Sequence, residues 1–248
     1  MPARNELLRA AIQTVQEKHP AYGHKRIALH LQRGKSQIRR VMKLFGLAPL
    51  LTRKHGWRGS NEPVPVRPNL TLGLTPVRSG HIWASDFTYL YFAGRWYYLA
   101  TVLDLYTRRI LGWHIGKRHT ASLVHLAVCD ALSRSAPPEF FHADQGSQYT
   151  AAETVRLVEA TGAQFSWSAK ASPWQNGYQE SLYQNFKLEL GDLSRFGHEG
   201  ELFEAVAKQI YYYNFERIHT ALKMPPMQFY ERELVGAGMR QGVEITGT

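Results

Sequence analysis

The chain has 248 residues, 44% of them hydrophobic, enough to form the core of one large domain or of a small and a larger domain. Its 30 lysines and arginines and 20 acids give a net charge of +10, which favours a polyanionic partner such as nucleic acid, although an ordinary basic protein has the same charge. The single cysteine, Cys129, excludes an internal disulfide and a cysteine-based zinc finger. The N-terminus has no apolar signal region and no run of 18 apolar residues occurs, so we expect a cytoplasmic protein without a membrane span.

The first 50 residues have the pattern of three short helices. Apolar residues recur at helical spacing over residues 4–19, 24–32 and 36–45, and basic residues lie between them. Such a unit is typical of a helix-turn-helix domain that binds DNA, and we place Lys25 and Arg26 among its candidate DNA contacts. A structural helical hairpin that contacts no DNA remains the alternative.

Residues 51–80 are predicted to be a linker, because prolines recur along the segment and prevent regular structure. Basic residues cluster near its start, and Arg53 and Lys54 are candidate DNA contacts. A basic linker can follow a phosphate backbone and release counterions, or it can be a solvated tether. The sequence does not distinguish these two roles.

Residues 81–235 have the pattern of one α/β domain, and residues 236–248 are predicted to be a flexible tail. Three strands in succession, followed by alternating helix and strand, predict a mixed five-stranded sheet flanked by helices. The strands are predicted at 82–92, 96–103, 108–116, 140–143 and 163–167, and the helices at 120–134, 151–161, from Tyr178 onward, 201–215 and 226–234.

Three acids in this domain occupy positions suited to chemistry. Asp144 follows an apolar run and precedes a glycine turn, which is typical of an acid at the carboxyl end of a buried strand. Asp86 lies within the strand predicted at 82–92, and Glu180 lies in the first turn of a helix, with Lys187 two turns further along. Taken singly, each acid is better explained as a surface carboxylate or a turn cap.

The spaced set of residues resembles the retroviral-integrase superfamily of DDE transposases, and more narrowly the catalytic half (OrfB) of the IS-three family of bacterial insertion sequences. The resemblance covers roughly residues 78–232, with a weaker match at 20–50. Its motifs are Trp83-x-x-Asp86-x-Thr88, Asp104-x-x-x-Arg108-x-Ile110-x-Gly112-Trp113, His142-x-Asp144-x-Gly146-Ser147-x-Tyr149, Pro173-x-x-Asn176-Gly177-x-x-Glu180-Ser181, Lys187, and Tyr213-Asn214-x-x-Arg217-x-His219-x-x-Leu222.

The resemblance implies a ribonuclease-H-like fold preceded by a small helix-turn-helix-like domain. It also implies that Asp86, Asp144 and Glu180 are the catalytic and metal-binding acids, with Asp86 bridging two ions. Two divalent ions activate the nucleophile and stabilise the leaving oxygen in phosphodiester cleavage, and carboxylate ligands favour Mg²⁺, for which Mn²⁺ can substitute. The expected reaction is cleavage at the 3′ ends of the element followed by strand transfer.

Several other residues match the family motifs, and more than one role is considered for most of them. Lys187 is expected to contact DNA near the reacting end, and Asn176 either orients a water or the acid or caps the helix. Arg217 and His219 are expected to contact a phosphate or to buttress Glu180. For Asp104, a structural cap is the favoured role. For His142, a packed strand histidine and a ligand remain alternatives.

The resemblance further implies double-stranded DNA partners, namely the element's terminal inverted repeats and target DNA. We expect a bacterial, nucleoid-associated homo-oligomer on DNA, made alone or as a fusion with an upstream-frame (OrfA) partner. Two alternatives remain open: a catalytically silent DNA-binding regulator or domesticated remnant, and a ribonuclease-H-like nuclease without strand transfer.

Overall fold

In this computed structural model, the structure describes residues 2–50, 68–168 and 177–244, with side chains for 5–50, 68–168 and 177–236. The predicted mixed sheet is confirmed. Its strands are β1 (Ile82–Phe92), β2 (Arg95–Asp104), β3 (Ile110–Gly116), β4 (Phe140–Ala143) and β5 (Gln164–Trp167).

The strand order is β3-β2-β1-β4-β5. The first three strands pair antiparallel, whereas β1 pairs with β4 and β4 with β5 in parallel. Parallel neighbours need a crossover connection, which the helices between these strands supply. Because β1, β4 and β5 run in the same direction, the carboxyl ends of β4 and β5 lie at one edge of the sheet. The part of β1 that follows Ala84 extends toward that same edge.

The third strand begins later than the sequence predicts, at Ile110 rather than at residue 108. Arg108 has a φ of 62°, which interrupts extended backbone. The turn before it is closed by Asp104, whose fully buried carboxylate accepts hydrogen bonds from the main-chain N–H groups of Thr107 (2.7 Å) and Gly80 (2.7 Å). Asp104 is thus a structural cap, as favoured from the sequence.

One face of the sheet packs against α4 (Ala121–Arg134), α5 (Ser147–Thr150) and α6 (Ala152–Glu159). The short α5 was not predicted. Gly112 on β3 lies so close to α4 that a Cβ atom there would be 2.1 Å from the carbonyl oxygen of Ala127. The glycine in this motif is therefore required by the contact between helix and sheet. The core on this face is built from buried side chains such as Trp83, Val102, Val124, Val128 and Phe141.

The N-terminal region contains the three predicted helices, α1 (Pro2–Lys18), α2 (His24–His30) and α3 (Lys35–Leu44). Apolar side chains at helical spacing form one buried cluster, as the periodicity predicts. Its fully buried members are Ile12, Tyr22, Ile27, Ile38 and Val41.

The remaining helices are α7 (Gly177–Leu190), α8 (Glu199–Phe215) and α9 (Pro226–Glu244). The last helix continues past residue 234, where the sequence predicts its end, whereas the predicted flexible tail stays a prediction. The backbone of α9 remains helical through Gly236 and Gly238. A glycine within a helix costs only about 1 kcal/mol relative to alanine, so two glycines do not by themselves end one.

The chain divides into two compact units. A helical unit comprises Met1–Lys54, Gln184–Gly191 and Tyr211–Thr248, and a sheet unit comprises His55–Tyr183 and Asp192–Ile210. The linear domain boundaries expected from the sequence stay a prediction. Among the described residues, no helix is both long and apolar enough to cross a membrane.

Part of the predicted linker belongs to the sheet unit. The main-chain N–H of Leu70 donates to Ser166 on β5 (2.9 Å), and the Thr71 hydroxyl lies 3.0 Å from Nδ1 of His142. Residues 69–71 are therefore attached to the sheet by side-chain hydrogen bonds rather than being a solvated tether.

Candidate active site

Two of the predicted acids are brought together by the pairing of β1 with β4. Ala84 lies opposite His142 in the parallel register. The paired register ends at Ala84 and His142, and Asp86 and Asp144 lie two residues beyond it, at the same edge of the sheet. Adjacent strands are about 4.8 Å apart. Acids separated by 57 residues in the chain are thus brought to the same edge of the sheet, at the carboxyl end of β4.

The main chain around each acid holds its carboxylate. Oδ1 of Asp86 accepts from the N–H of Phe87 at 2.7 Å, and Oδ1 of Asp144 accepts from the N–H of Gly146 at 2.9 Å. A Cβ atom on Gly146 would lie 2.9 Å from that same Asp144 oxygen, so a larger residue here would displace the carboxylate. Burial raises the pKa of Asp144, while the Gly146 hydrogen bond and nearby His119 partly offset that rise.

The third predicted acid, Glu180, lies on α7. Residues before and after Glu180 attach this helix to β1. The Gln179 side chain donates from Nε2 to the carbonyl oxygen of Ala84 at 2.7 Å. The Tyr183 hydroxyl donates to the carbonyl oxygen of Asp86. Glu180 lies between these two anchors and is itself exposed. The first turn of α7 is therefore held beside the strand that carries Asp86.

Thr101 completes this attachment from the neighbouring strand. It lies opposite Asp86 on β2, and its hydroxyl is 2.8 Å from the Tyr183 hydroxyl and 3.3 Å from Oε1 of Gln179. We call Gln179, Tyr183 and Thr101 the α7 clasp. These three residues were not predicted from the sequence. The four-residue spacing of Gln179 and Tyr183 does indicate that they share one helix face, next to Glu180.

The chemistry of Asp86 and Asp144 fits a hard divalent cation. Magnesium is commonly held by one or two carboxylates, with water and substrate phosphate supplying the other oxygens. Burial of Asp144 disfavours its charged form, and a bound cation would offset that cost. Among the described side chains, no group of three or more His, Cys, Asp or Glu residues is arranged to hold a metal ion. Glu180 therefore does not complete a three-acid cluster in the arrangement seen here.

The candidate DNA contacts fall into three sets, of which the first two are the exposed lysines and the residues outside the described part of the chain. Lys25 on α2 and Lys187 on α7 are exposed and accessible to a phosphate backbone. Asn176, Arg53 and Lys54 lie outside the described residues. Their assigned roles stay predictions.

Arg26 and Arg217 lie in an ion network within the helical unit. Nε of Arg217, whose side chain is 2% exposed, donates to both carboxylate oxygens of Glu189 at 2.7 and 2.8 Å. A guanidinium nitrogen of Arg26 lies 3.7 Å from Glu189. His219 is half-buried, and its main chain forms an antiparallel bridge with Met224. The contacts of Arg26 and Arg217 with Glu189 hold this unit together, and any DNA contact by these three residues stays a prediction.

His142 is packed in the sheet. Its Nδ1 lies 3.0 Å from the hydroxyls of both Thr71 and Ser166, and burial lowers its pKa to about 4. His142 is therefore a neutral, hydrogen-bonded histidine between β4 and its neighbours. Of the two alternatives left open by the sequence, this is the packed strand histidine rather than the ligand.

The sheet order, together with neighbouring acids on β1 and after β4 and a third acid on a helix clasped to β1, defines the class. It is the ribonuclease-H-like polynucleotidyl transferases, enzymes that cleave and join phosphodiester bonds. Residues 76–173 match the family described as "Integrase core domain", and residues 161–226 match a second family of the same description.

Relatives of known name support a narrower assignment. The chain is 30% identical to the transposase for insertion sequence element IS904 of Lactococcus lactis, over 92% of this chain and 94% of that protein. It is 31% identical to the IS600 uncharacterized 31 kDa protein of Shigella sonnei, over 85% of this chain and 82% of that protein. It is 35% identical to transposase InsF for insertion sequence IS3A of Escherichia coli, over 57% of this chain and 48% of that protein.

Solved structures share the fold at low sequence identity. One is a simian T-cell lymphotropic virus intasome in complex with PP2A regulatory subunit B56 gamma, with a TM-score of 0.55 and 17% identity over 89% of this chain and 74% of that chain. Another is the HTLV-2 integrase catalytic core domain in complex with magnesium, with a TM-score of 0.51 and 16% identity over 63% of this chain and 99% of that chain. The expected ribonuclease-H-like fold is confirmed.

The chain belongs to the transposases of bacterial insertion sequences that carry an integrase core domain. It is a DDE transposase, a DNA-cleaving polynucleotidyl transferase that acts in insertion-sequence transposition.

Proposed function

We propose that Asp86, Asp144 and Glu180 are the catalytic acids, and that they hold two Mg²⁺ ions, for which Mn²⁺ can substitute, during DNA 3′-end cleavage and strand transfer. The observation that carries this proposal is the α7 clasp. It fastens the helix bearing Glu180 to the carbonyls of Ala84 and Asp86, beside the strand pair that brings Asp86 and Asp144 together.

The roles follow from position. We infer that Asp86 and Asp144, which lie at the same edge of the sheet, form the permanent part of the site. Glu180 is exposed on a clasped helix, so a modest movement of its side chain joins it to the other two once DNA is present. When bound, divalent ions activate the attacking hydroxyl and stabilise the leaving oxygen. Water first releases a 3′-OH at the element's end, and that 3′-OH then displaces the 3′ oxygen at a second phosphodiester.

Further proposals concern partners. We infer that the substrate is double-stranded DNA, comprising the terminal inverted repeats and the target, and that exposed Lys25 and Lys187 contact its phosphates. The net charge of +10 supports a polyanionic partner. By family membership we also infer action as a homo-oligomer on nucleoid DNA, alone or with an upstream-frame (OrfA) partner.

The test is cleavage and joining of labelled DNA carrying the element's end, with Mg²⁺ or Mn²⁺. Wild-type protein is compared with Asp86→Asn, Asp144→Asn and Glu180→Gln, which keep side-chain shape and remove the charge. The matched control is Glu153→Gln, an exposed acid on α6. We expect cut and joined products from wild type and control, and neither product from the three variants, which still bind DNA.

Other results have distinct meanings. If a variant cuts and joins as wild type does, that acid is not catalytic. If wild type cuts without joining, the chain lacks strand transfer under these conditions, and the assay is repeated with the upstream frame fused. Binding of Mn²⁺ without DNA, followed by electron paramagnetic resonance, tests the metal separately. Asp86→Asn and Asp144→Asn should weaken that binding, and Glu180→Gln should leave it nearly unchanged.

A further inference from the structure

Beyond the acids, a row of aromatic rings runs along the β1–β2 hairpin. Tyr89 lies opposite Tyr98 in the antiparallel register, and Tyr91 lies opposite Trp96. The ring centroids follow one another from Tyr91 to Trp96 (4.9 Å), Tyr89 (6.4 Å), Tyr98 (5.5 Å) and His119 (5.1 Å). We call these five rings the aromatic ladder.

The outer part of the ladder is open to solvent. Tyr89, Tyr91 and Trp96 are 47%, 56% and 52% exposed, and they are the exposed large hydrophobic residues of β1 and β2. Adjacent exposed rings on a rigid hairpin mark an interaction surface. No exposed leucine, isoleucine, valine or methionine accompanies them on these two strands. The exposed hydrophobic side chains of these two strands are therefore all aromatic.

The inner end of the ladder reaches the active site. His119 stacks on Tyr98, with an interplanar angle of 10°, and its Nδ1 lies 3.2 Å from Nε2 of Gln148. Gln148 lies on α5, four residues after Asp144. The ring of Phe87, which follows Asp86, meets the His119 ring edge-on at 4.4 Å. In support of this proximity, burial and then the charges of Asp86 and Asp144 raise the pKa of Tyr89.

Two exposed arginines lie in the segments that carry the ladder. Residues 87–103 contain no acid and one base, Arg95, which is exposed at the start of β2. Arg118, beside His119, is also exposed. Aromatic side chains flanked by arginines are the combination that binds single-stranded nucleic acid, because bases stack on the rings while the cations follow the phosphates. Paired bases in a duplex do not expose their faces for such stacking.

We propose that the aromatic ladder binds unpaired nucleotides of the DNA strand next to the scissile phosphate, stacking their bases on Tyr89, Tyr91 and Trp96. The position of this strand rests on the proposed role of Asp86 and Asp144. The stacking itself does not depend on catalysis and is measured without it. The ladder thus adds a site for unpaired DNA to an enzyme that cleaves duplex DNA at the ends of its element.

The test measures binding of fluorescein-labelled oligo(dT), and of a duplex of the same length, to the full-length protein in EDTA, which prevents cleavage. Wild type is compared with Trp96→Ala, Trp96→Phe and the control Tyr211→Ser. Tyr211 is also an exposed aromatic residue (57%) but belongs to the helical unit, whereas the ladder belongs to the sheet unit. We expect Trp96→Ala to weaken oligo(dT) binding about tenfold, with duplex binding within about twofold of wild type. Trp96→Phe and Tyr211→Ser should bind both as wild type does.

Equal oligo(dT) binding by wild type and Trp96→Ala would overturn the proposal. If instead Trp96→Ala changes the sedimentation coefficient of the free protein but not its DNA binding, the ladder is a contact between protein copies. Should Trp96→Ala fail to fold, oligonucleotides containing 5-iododeoxyuridine are photo-crosslinked to wild type, where crosslinks within residues 89–98 support the ladder and crosslinks only elsewhere refute it. Since no cleavage is involved, these results stand even if the acid variants contradict the proposed catalytic roles.

Discussion

The side-chain amide of Gln179 donates a 2.7 Å hydrogen bond to the carbonyl oxygen of Ala84, joining the residue before Glu180 to the strand that carries Asp86. Gln179 is completely buried, whereas Glu180 is exposed. Gln179 thus attaches the helix to the sheet, and the neighbouring Glu180 remains accessible to a substrate.

Replacing this anchor should damage both stability and activity. We expect Gln179→Ala to lower the free energy of unfolding by about 1–3 kcal/mol, because the buried Ala84 carbonyl loses its side-chain donor. DNA cleavage should fall further, up to about 100-fold, because small misplacements of catalytic groups have large effects. Urea unfolding and the cleavage rate measure these effects. Gln184→Ala, an exposed glutamine of the same helix, is the control. Unchanged cleavage by folded Gln179→Ala would show that the clasp only stabilises.

The turn after Asp144 should not tolerate a methyl group. In Gly146→Ala the new Cβ would lie 2.9 Å from Oδ1 of Asp144, so the carboxylate must move. We expect Mn²⁺ binding and cleavage to be strongly reduced, with the melting temperature changed by only a few degrees. Gly34→Ala is the control, because nothing lies within 4 Å of its added Cβ. Normal Mn²⁺ affinity in Gly146→Ala would mean that the Asp144 position is not critical.

Gly112→Ala should destabilise the whole sheet unit. Its Cβ would meet backbone atoms of Ala127 and Ala131 at 2.1 and 2.4 Å, and backbone cannot rotate away as a side chain can. Overpacking a core typically costs about 1–3 kcal/mol, and a clash with helix backbone belongs at the upper end of that range. Thermal unfolding measures the loss, again against Gly34→Ala. A wild-type melting temperature would show that α4 moves freely away from β3.

The ion pair between Glu189 and Arg217 should be far more important for stability than exposed pairs. Both side chains are almost fully buried, at 5% and 2% exposed. We expect Glu189→Gln to destabilise the protein by about 3–5 kcal/mol, because it leaves a buried guanidinium charge uncompensated. The control is Glu204→Gln, which removes one partner of the exposed pair with Lys208 on α8 and should leave stability unchanged. Equal effects in urea unfolding would contradict this view of the network.

Stability should also fall in mild acid through His19. Burial, and then the positive charges of His30 and Lys18, lower the pKa of His19 below its ordinary value of 6.5. The unfolded chain therefore binds a proton more readily than the folded one below pH 6.5, and stability is lost as the pH falls through that value. His19→Gln, which can still bond to the Tyr212 hydroxyl, should show a weaker pH dependence in urea unfolding. Parallel curves for the two proteins would refute this contribution.

The sequence alone determined most of the elements and the family, while the catalytic roles of the three acids stay predictions. Period-two and period-3.6 patterns are local, so β1, β4 and the three N-terminal helices were predicted within a few residues. The spacing of Asp86, Asp144 and Glu180 was enough to indicate a family and its chemistry. The predicted boundaries differ from the structure where the local pattern did not decide the backbone. The glycines of α9 do not end that helix, and the left-handed backbone of Arg108 delays the start of β3.

Only the tertiary structure decided how those residues meet. The parallel pairing of β1 and β4 brings Asp86 and Asp144 to the same edge of the sheet, and the clasp from Gln179 and Tyr183 attaches α7 to β1. The partner of Arg217 proved to be Glu189, 28 residues earlier in the chain. Such contacts join segments that are distant in sequence, and each side chain is compatible with many partners. The partner is selected when the whole core packs, and no local pattern records that selection.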